Sequence, residues 1–185
     1  MKANNYISTG KLTTLITFLI GAFIFGMYFL TSNNTLLFVG YAYILLAAIV
    51  NVILLFAIVF KSKSDVINRK RLLSTGGLML VNIPVMFLFI WIAMLLMNTI
   101  RINITNTTQN NLTGIKIQGC KTEELSDLKP NESKTFWIKI PGDCSITLEY
   151  LENGTLKKEA VAGYVSNGMG HKIKHNINGS DKNIL

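Results

Sequence analysis

The sequence predicts three transmembrane helices followed by an all-β domain, an immunoglobulin-like or fibronectin-like antiparallel sandwich. Three observations lead there. Leu12 to Leu30, Leu36 to Phe60 and Leu72 to Ile100 contain no Asp, Glu, Lys, Arg or His. At ~1.5 Å per residue, each run is long enough to cross a hydrocarbon core of roughly 30 Å. From Arg101 onward the apolar residues recur at every second position, the period of a half-buried strand. Between those alternating runs lie NTTQNN, LKPNES, PGD, ENGT and SNGMG, all turn-forming compositions.

The expected boundaries are a membrane domain over residues 1–100, with spans at about 12–30, 36–60 and 77–99, and a β domain over 101–185. The first span follows Lys2 and Lys11 in the manner of a signal peptide. It exceeds an h-region of about 7 to 15 residues, however, and no A-x-A-like site follows it, so it is expected to remain as a signal anchor.

Charge sets the expected orientation. Lys2, Lys11, Lys61, Lys63, Arg69, Lys70 and Arg71 flank the spans against the single acid Asp65, whereas the chain from Arg101 carries eleven Lys/Arg and nine Asp/Glu. The net +8 is therefore mostly the excess that retains loops on the cytoplasmic side, and nucleic acid is not an expected partner. The loop KSKSDVINRKR at 61–71 is basic and TSNNT at 31–35 is uncharged. The N-terminus is then expected in the cytoplasm and the β domain outside. Asn/Ile/Lys-rich composition favours a bacterial inner membrane with a periplasmic domain, and the lipid bilayer is the first partner.

Within the β domain the expected strands follow the alternation. Ile102 and Ile104 alternate with Asn103 and Thr105, and Ile115 and Ile117 flank Lys116. Phe136, Ile138 and Ile140 alternate with Trp137 and Lys139, and Ile146, Leu148 and Tyr150 with Thr147 and Glu149. Asn153-Gly154 between Leu151 and Leu156 marks a hairpin, because both central positions of a type I′ turn need φ > 0. Two more strands are expected, one ending near Val165 and one over Lys172 to Ile177, giving six or seven in all. At most about four residues, Asn98 to Arg101, separate helix from strand, so the domain is expected to work close to the bilayer.

Cys120 and Cys144 are the only cysteines, both in the exported part, and an oxidising compartment pairs them. Seven Asn-x-Ser/Thr sequons begin at Asn33, Asn103, Asn106, Asn111, Asn131, Asn153 and Asn178. They are glycosylation sites only in a eukaryotic source.

The remaining candidates have plain readings. His171 and His175 fall on one face of a strand, but no Cys, Asp or Glu at a local spacing completes a tetrahedral metal set, so they read as solvated surface residues. Glu123, Glu124 and Asp127 read as a solvated face, and Gly168 and Gly170 as turn residues. No G-x-S-x-G, S-x-x-K or G-x-x-x-x-G-K motif occurs. No catalytic residue, cofactor or metal is expected.

Inside the membrane the polar exceptions are Asn51, Asn82 and Pro84. Pro84 is expected to kink the inner end of the third helix, with Asn82 satisfying part of the interrupted ladder. Counted from the cytoplasmic ends of the spans, Asn51 and Asn82 differ in depth by roughly 8 Å, too far to bond each other. Ala22 and Gly26 form a small-xxx-small pair suited to helix contact. A homo-oligomer is allowed by this pair but not required.

The expected function is non-enzymatic. A membrane-proximal, extracytoplasmic β-sandwich would bind a protein partner, as an accessory subunit of a membrane or secretion complex or as a toxin-protective protein. The alternative is a small channel or transport subunit whose helices do the work and whose sandwich is a cap.

Overall fold

A computed structural model describes residues 3–178. Lys2, and the Ser180 that completes the sequon at Asn178, lie outside the described residues. The chain divides into two compact units, 1–93 and 94–185.

The first unit holds α1 (Ala3–Thr31), α2 (Asn34–Ser64) and α3 (Arg69–Met97), all long and apolar enough to cross a membrane. Each helix is apolar around most of its circumference. Phe38, Leu45, Ile53 and Phe60 point outward and are well exposed, the pattern of a surface that meets lipid rather than water. The helices extend beyond the apolar runs, so Lys11, Lys61 and Arg69 are helical. Hydroxyls inside the helices bond back to their own backbone, as Thr14 does to Gly10 and Thr75 to Arg71. The side chain of Asn33 accepts from Thr35 N–H at 2.9 Å, capping α2.

Helix contact differs from the expectation. A Cβ on Gly26 would meet nothing within 4 Å. The tight approach is instead at Gly10, where a Cβ would stand 2.6 Å from Thr75 Cγ2 and 2.8 Å from Ile58 Cδ1. Ala3, Ile7, Ile58, Leu72 and Met79 form the small core around it.

The second unit holds β1 (Thr99–Asn106), β2 (Leu112–Gly119), β3 (Glu123–Glu124), β4 (Ser133–Lys139), β5 (Cys144–Glu152), β6 (Thr155–Val165) and β7 (Lys172–Ile177). They form a three-stranded sheet, β4-β1-β7, and a four-stranded sheet, β3-β2-β5-β6. One apolar core lies between them, with Ile100, Ile102, Ile104, Ile138 and Ile173 from the first sheet and Ile117, Ile146, Leu148, Tyr150 and Val161 from the second. This is a β-sandwich.

Two details depart from the expectation. Thr99, the expected end of the third span, is the first residue of β1, because inward-facing Ile100, Ile102 and Ile104 set a period of two from that point. In addition, β7 pairs with β1 in parallel, while the other strand pairings among the described residues are antiparallel. Chain direction explains it. β6 ends opposite Cys144, beside the β4–β5 turn and hence at the end where β1 begins, so the next strand can only run alongside β1 in the same direction.

The expected hairpin is present. Asn153 and Gly154 have φ 52° and 76°, and Leu151 pairs with Leu156 across them.

Candidate functional site

Cys120 and Cys144 are joined in a disulfide, with Cα atoms 5.2 Å apart, and the bridge packs against the sandwich core. It ties the end of β2 and its following loop to the start of β5.

Asn51, Asn82 and Pro84 stand elsewhere than expected. With α2 ending at Ser64 and α3 starting at Arg69, Asn51 and Asn82 lie equally far along their helices from the α2–α3 loop, so their depths are similar. They still use different partners. Asn82 Nδ2 donates across to α1, to Thr14 O at 3.1 Å and Thr17 Oγ1 at 3.0 Å. Asn51 Nδ2 donates to Ala47 O at 2.8 Å, within its own helix. Pro84 is in the middle of α3, which is helical on both sides of it, and Asn82 serves α1 rather than the interrupted ladder.

Asn51 and Asn82 also line one cavity of about 390 Å³ among the three helices, together with Thr17, Tyr28 and Tyr43. Tyr43 Oη donates to Thr17 O at 2.9 Å, so polar side chains from both α2 and α3 converge on Thr14 and Thr17 of α1. The run LTTLIT carried that signal in the sequence, yet hydroxyls that can bond their own helix look neutral until a partner is seen. Asn51 Oδ1 is buried with no hydrogen-bond partner among the described residues. Such a cavity can hold an apolar group or, at its Asn-lined part, one polar atom.

In the β domain the two histidines do not share a strand face, and His175 is not solvated. His175 is inward-facing on β7 and only 7% exposed. Its Nε2 is 2.9 Å from Glu159 Oε2, and since a carboxylate only accepts, Nε2 carries the proton. Tyr150 Oη and the Asn178 backbone N–H donate to Glu159 Oε1. The group links β5 and β6 of one sheet to β7 of the other. Burial pushes the Glu159 carboxyl up, but the hydrogen bonds from His175, Tyr150 and Asn178 outweigh it and hold the group below its ordinary value. Burial, then the Glu159 bond, push the Tyr150 phenol up. The alternation of Ile173, His175 and Ile177 could have revealed the inward histidine. His171 precedes the strand, and its Nδ1 lies 2.6 Å from Met169 O.

No group of three or more metal-ligating side chains occurs among the described residues. Glu123 and Glu124 form surface ion pairs with Lys121 and Lys116. Among the sequon asparagines, Asn106 is fully enclosed: its side chain donates to Asn110 O and Leu128 O and accepts from Thr108. It is a structural hub.

A residue the sequence undervalued is Gly170. Its N–H donates to Met97 O at 2.7 Å, and Gly168 N–H reaches Asn98 Oδ1 at 3.2 Å. The β6–β7 loop thereby closes the last carbonyl of α3, which no residue of the helix can satisfy.

These features define a class, a membrane protein with three candidate membrane-spanning helices and a disulfide-closed β-sandwich domain. No protein-family model, curated protein or solved structure matches the chain.

Proposed function

We propose that this chain is a non-enzymatic membrane protein that presents its sandwich as a binding module at the extracytoplasmic face of a bacterial inner membrane. It would serve as an accessory subunit of a membrane or secretion complex, or intercept a toxin there. The observation that carries the reading is the single residue, Asn98, between α3 and β1, since a module so tied can engage only what comes to the membrane. The basic α2–α3 loop and the Cys120–Cys144 bridge support the orientation. The eleven-residue edge strand β6 offers backbone groups for strand addition.

A second reading follows from the inter-helix cavity lined by Asn51 and Asn82, a small channel or transport subunit with the sandwich as cap. A photoreactive residue at exposed Tyr164 on β6, in full-length protein expressed in cells, separates the two. Binding predicts a discrete stoichiometric protein adduct there and no solute flux in reconstituted vesicles. Flux that disappears in Asn82→Leu, with no adduct at position 164, overturns the binding reading.

A further inference from the structure

Seven lysines of the β domain fall into two groups. On and around the four-stranded sheet they meet carboxylates: Lys116 pairs with Glu124, Lys121 with Glu123, Lys157 with Glu152 and Lys158 with Glu149. That face is neutralised strand by strand. Lys139, Lys172 and Lys174, on the outer face of the three-stranded sheet, are exposed and have no ion pair among the described residues.

The register shows how they are arrayed. Lys139 stands opposite Thr99, Trp137 and Lys172 flank Arg101, and Lys174 stands beside Asn103 with Thr135 beyond it. No outward position of β1, β4 or β7 holds Asp or Glu. Asp143, in the β4–β5 turn, has its carboxylate bonded to Ser166 and Tyr164. Trp137 is 50% exposed, and the Arg101 guanidinium lies 5.5 Å from its ring centroid.

Chain length limits how far the near end of this face can lie from the bilayer. Thr99, Arg101 and Asn103 are the second, fourth and sixth residues after Met97, so at no more than ~3.6 Å per residue these β1 positions, beside which Lys139, Lys172 and Lys174 stand in turn, lie within about 7, 14 and 22 Å of the helix end. The headgroup zone is on the order of 5–8 Å deep on each side. The Lys139 row begins at that depth, and the long stems of Lys172 and Lys174 can carry their charges back toward it; a half-exposed tryptophan among unneutralised lysines is the composition of a membrane interface.

We propose that the outer face of the β4-β1-β7 sheet binds the phosphate headgroups of anionic phospholipids, with Lys139, Lys172 and Lys174 as the charged contacts and Trp137 at the headgroup boundary. An acidic protein would satisfy the same charge, but the lysines nearest the helix exit stand where lipid phosphates are always present. The inference depends on α3 leaving the membrane at Met97 and not on which side it leaves or on the partner proposed above.

The test uses full-length protein carrying Trp91→Phe, so that Trp137 is the sole tryptophan, in nanodiscs of phosphatidylcholine alone or with 40% phosphatidylglycerol. The readout is quenching by a headgroup spin-labelled lipid. Phosphatidylglycerol should raise quenching about twofold or more, and 0.5 M salt should reverse the gain. Combined K139Q/K172Q/K174Q should abolish it, while the triple arginine variant should retain it, which excludes misfolding as the cause. Equal quenching in neutral and anionic discs, or a gain unaffected by the glutamine substitutions, overturns the proposal. So does protection of Trp137 seen only when an acidic protein is added.

Discussion

The backbone N–H of Gly170 donates to the carbonyl of Met97 at 2.7 Å, and a Cβ on Gly170 would fall 2.1 Å from Leu96 O. The obstruction is backbone, which no rotamer change can relieve. Gly170→Ala should therefore displace the β6–β7 loop and destabilise the domain by about 2–4 kcal/mol, read by chemical denaturation of the detergent-solubilised protein. Gly168→Ala, where φ is 83° but nothing lies within 4 Å, should cost only about 1 kcal/mol. Equal, small effects at both positions would mean that the loop does not need its contact with α3.

The Cys120–Cys144 bridge spans 24 residues and should contribute about 3 kcal/mol in the chain-entropy description. A non-reduced digest of freshly prepared protein should yield one linked peptide pair, and Cys120→Ser/Cys144→Ser should lower the denaturation midpoint accordingly. Two free thiols in that digest would remove the bridge from the account.

Glu159 should make the domain sensitive to acid. Its carboxyl titrates below the ordinary value of 4.5 in the folded state, so the folded state binds the proton less readily than the unfolded one. The stabilisation is present above about pH 4.5 and is lost as pH falls through the folded value. Glu159→Gln should remove that part of the pH dependence and cost about 1–3 kcal/mol at neutral pH, because His175 and Tyr150 lose a charged acceptor. Denaturation curves at pH 7 and at pH 3.5 measure both effects. An unchanged acid slope in the variant would assign the sensitivity to other carboxylates.

Asn82→Leu removes the α3–α1 bonds to Thr14 and Thr17 and should weaken the helix unit by about 1 kcal/mol, whereas Asn51→Leu removes only a bond within α2 and should cost less. Thermal stability in detergent should rank the variants in that order. The reverse order would indicate that Asn51 Oδ1, which has no hydrogen-bond partner among the described residues, has a role in the cavity.

Much of this architecture is legible because it rests on periodicity and charge. Three uncharged runs define three helices, Ile102/Ile104 and Ile146/Leu148/Tyr150 define buried strand faces, and Asn153-Gly154 defines its hairpin. The polar interior is less legible. His175 reads as a surface residue until the alternation Ile173-His175-Ile177 is given precedence over its polarity, and its partner Glu159 is sixteen residues away on another sheet. Asn82 finds its acceptors 65 and 68 residues distant. Local pattern cannot specify such pairings, nor that Gly10 rather than Gly26 would seat against neighbouring helices.

The proposed function requires the sandwich to lie outside and the basic loop inside. Ser64→Cys at the end of α2 and Gln109→Cys in the exposed β1–β2 loop, each in protein retaining its native bridge, can be tested with a membrane-impermeant maleimide on intact spheroplasts. Labelling should be rapid at position 109 and should occur at 64 only after lysis. Labelling at 64 with protection at 109 in intact spheroplasts would contradict that orientation.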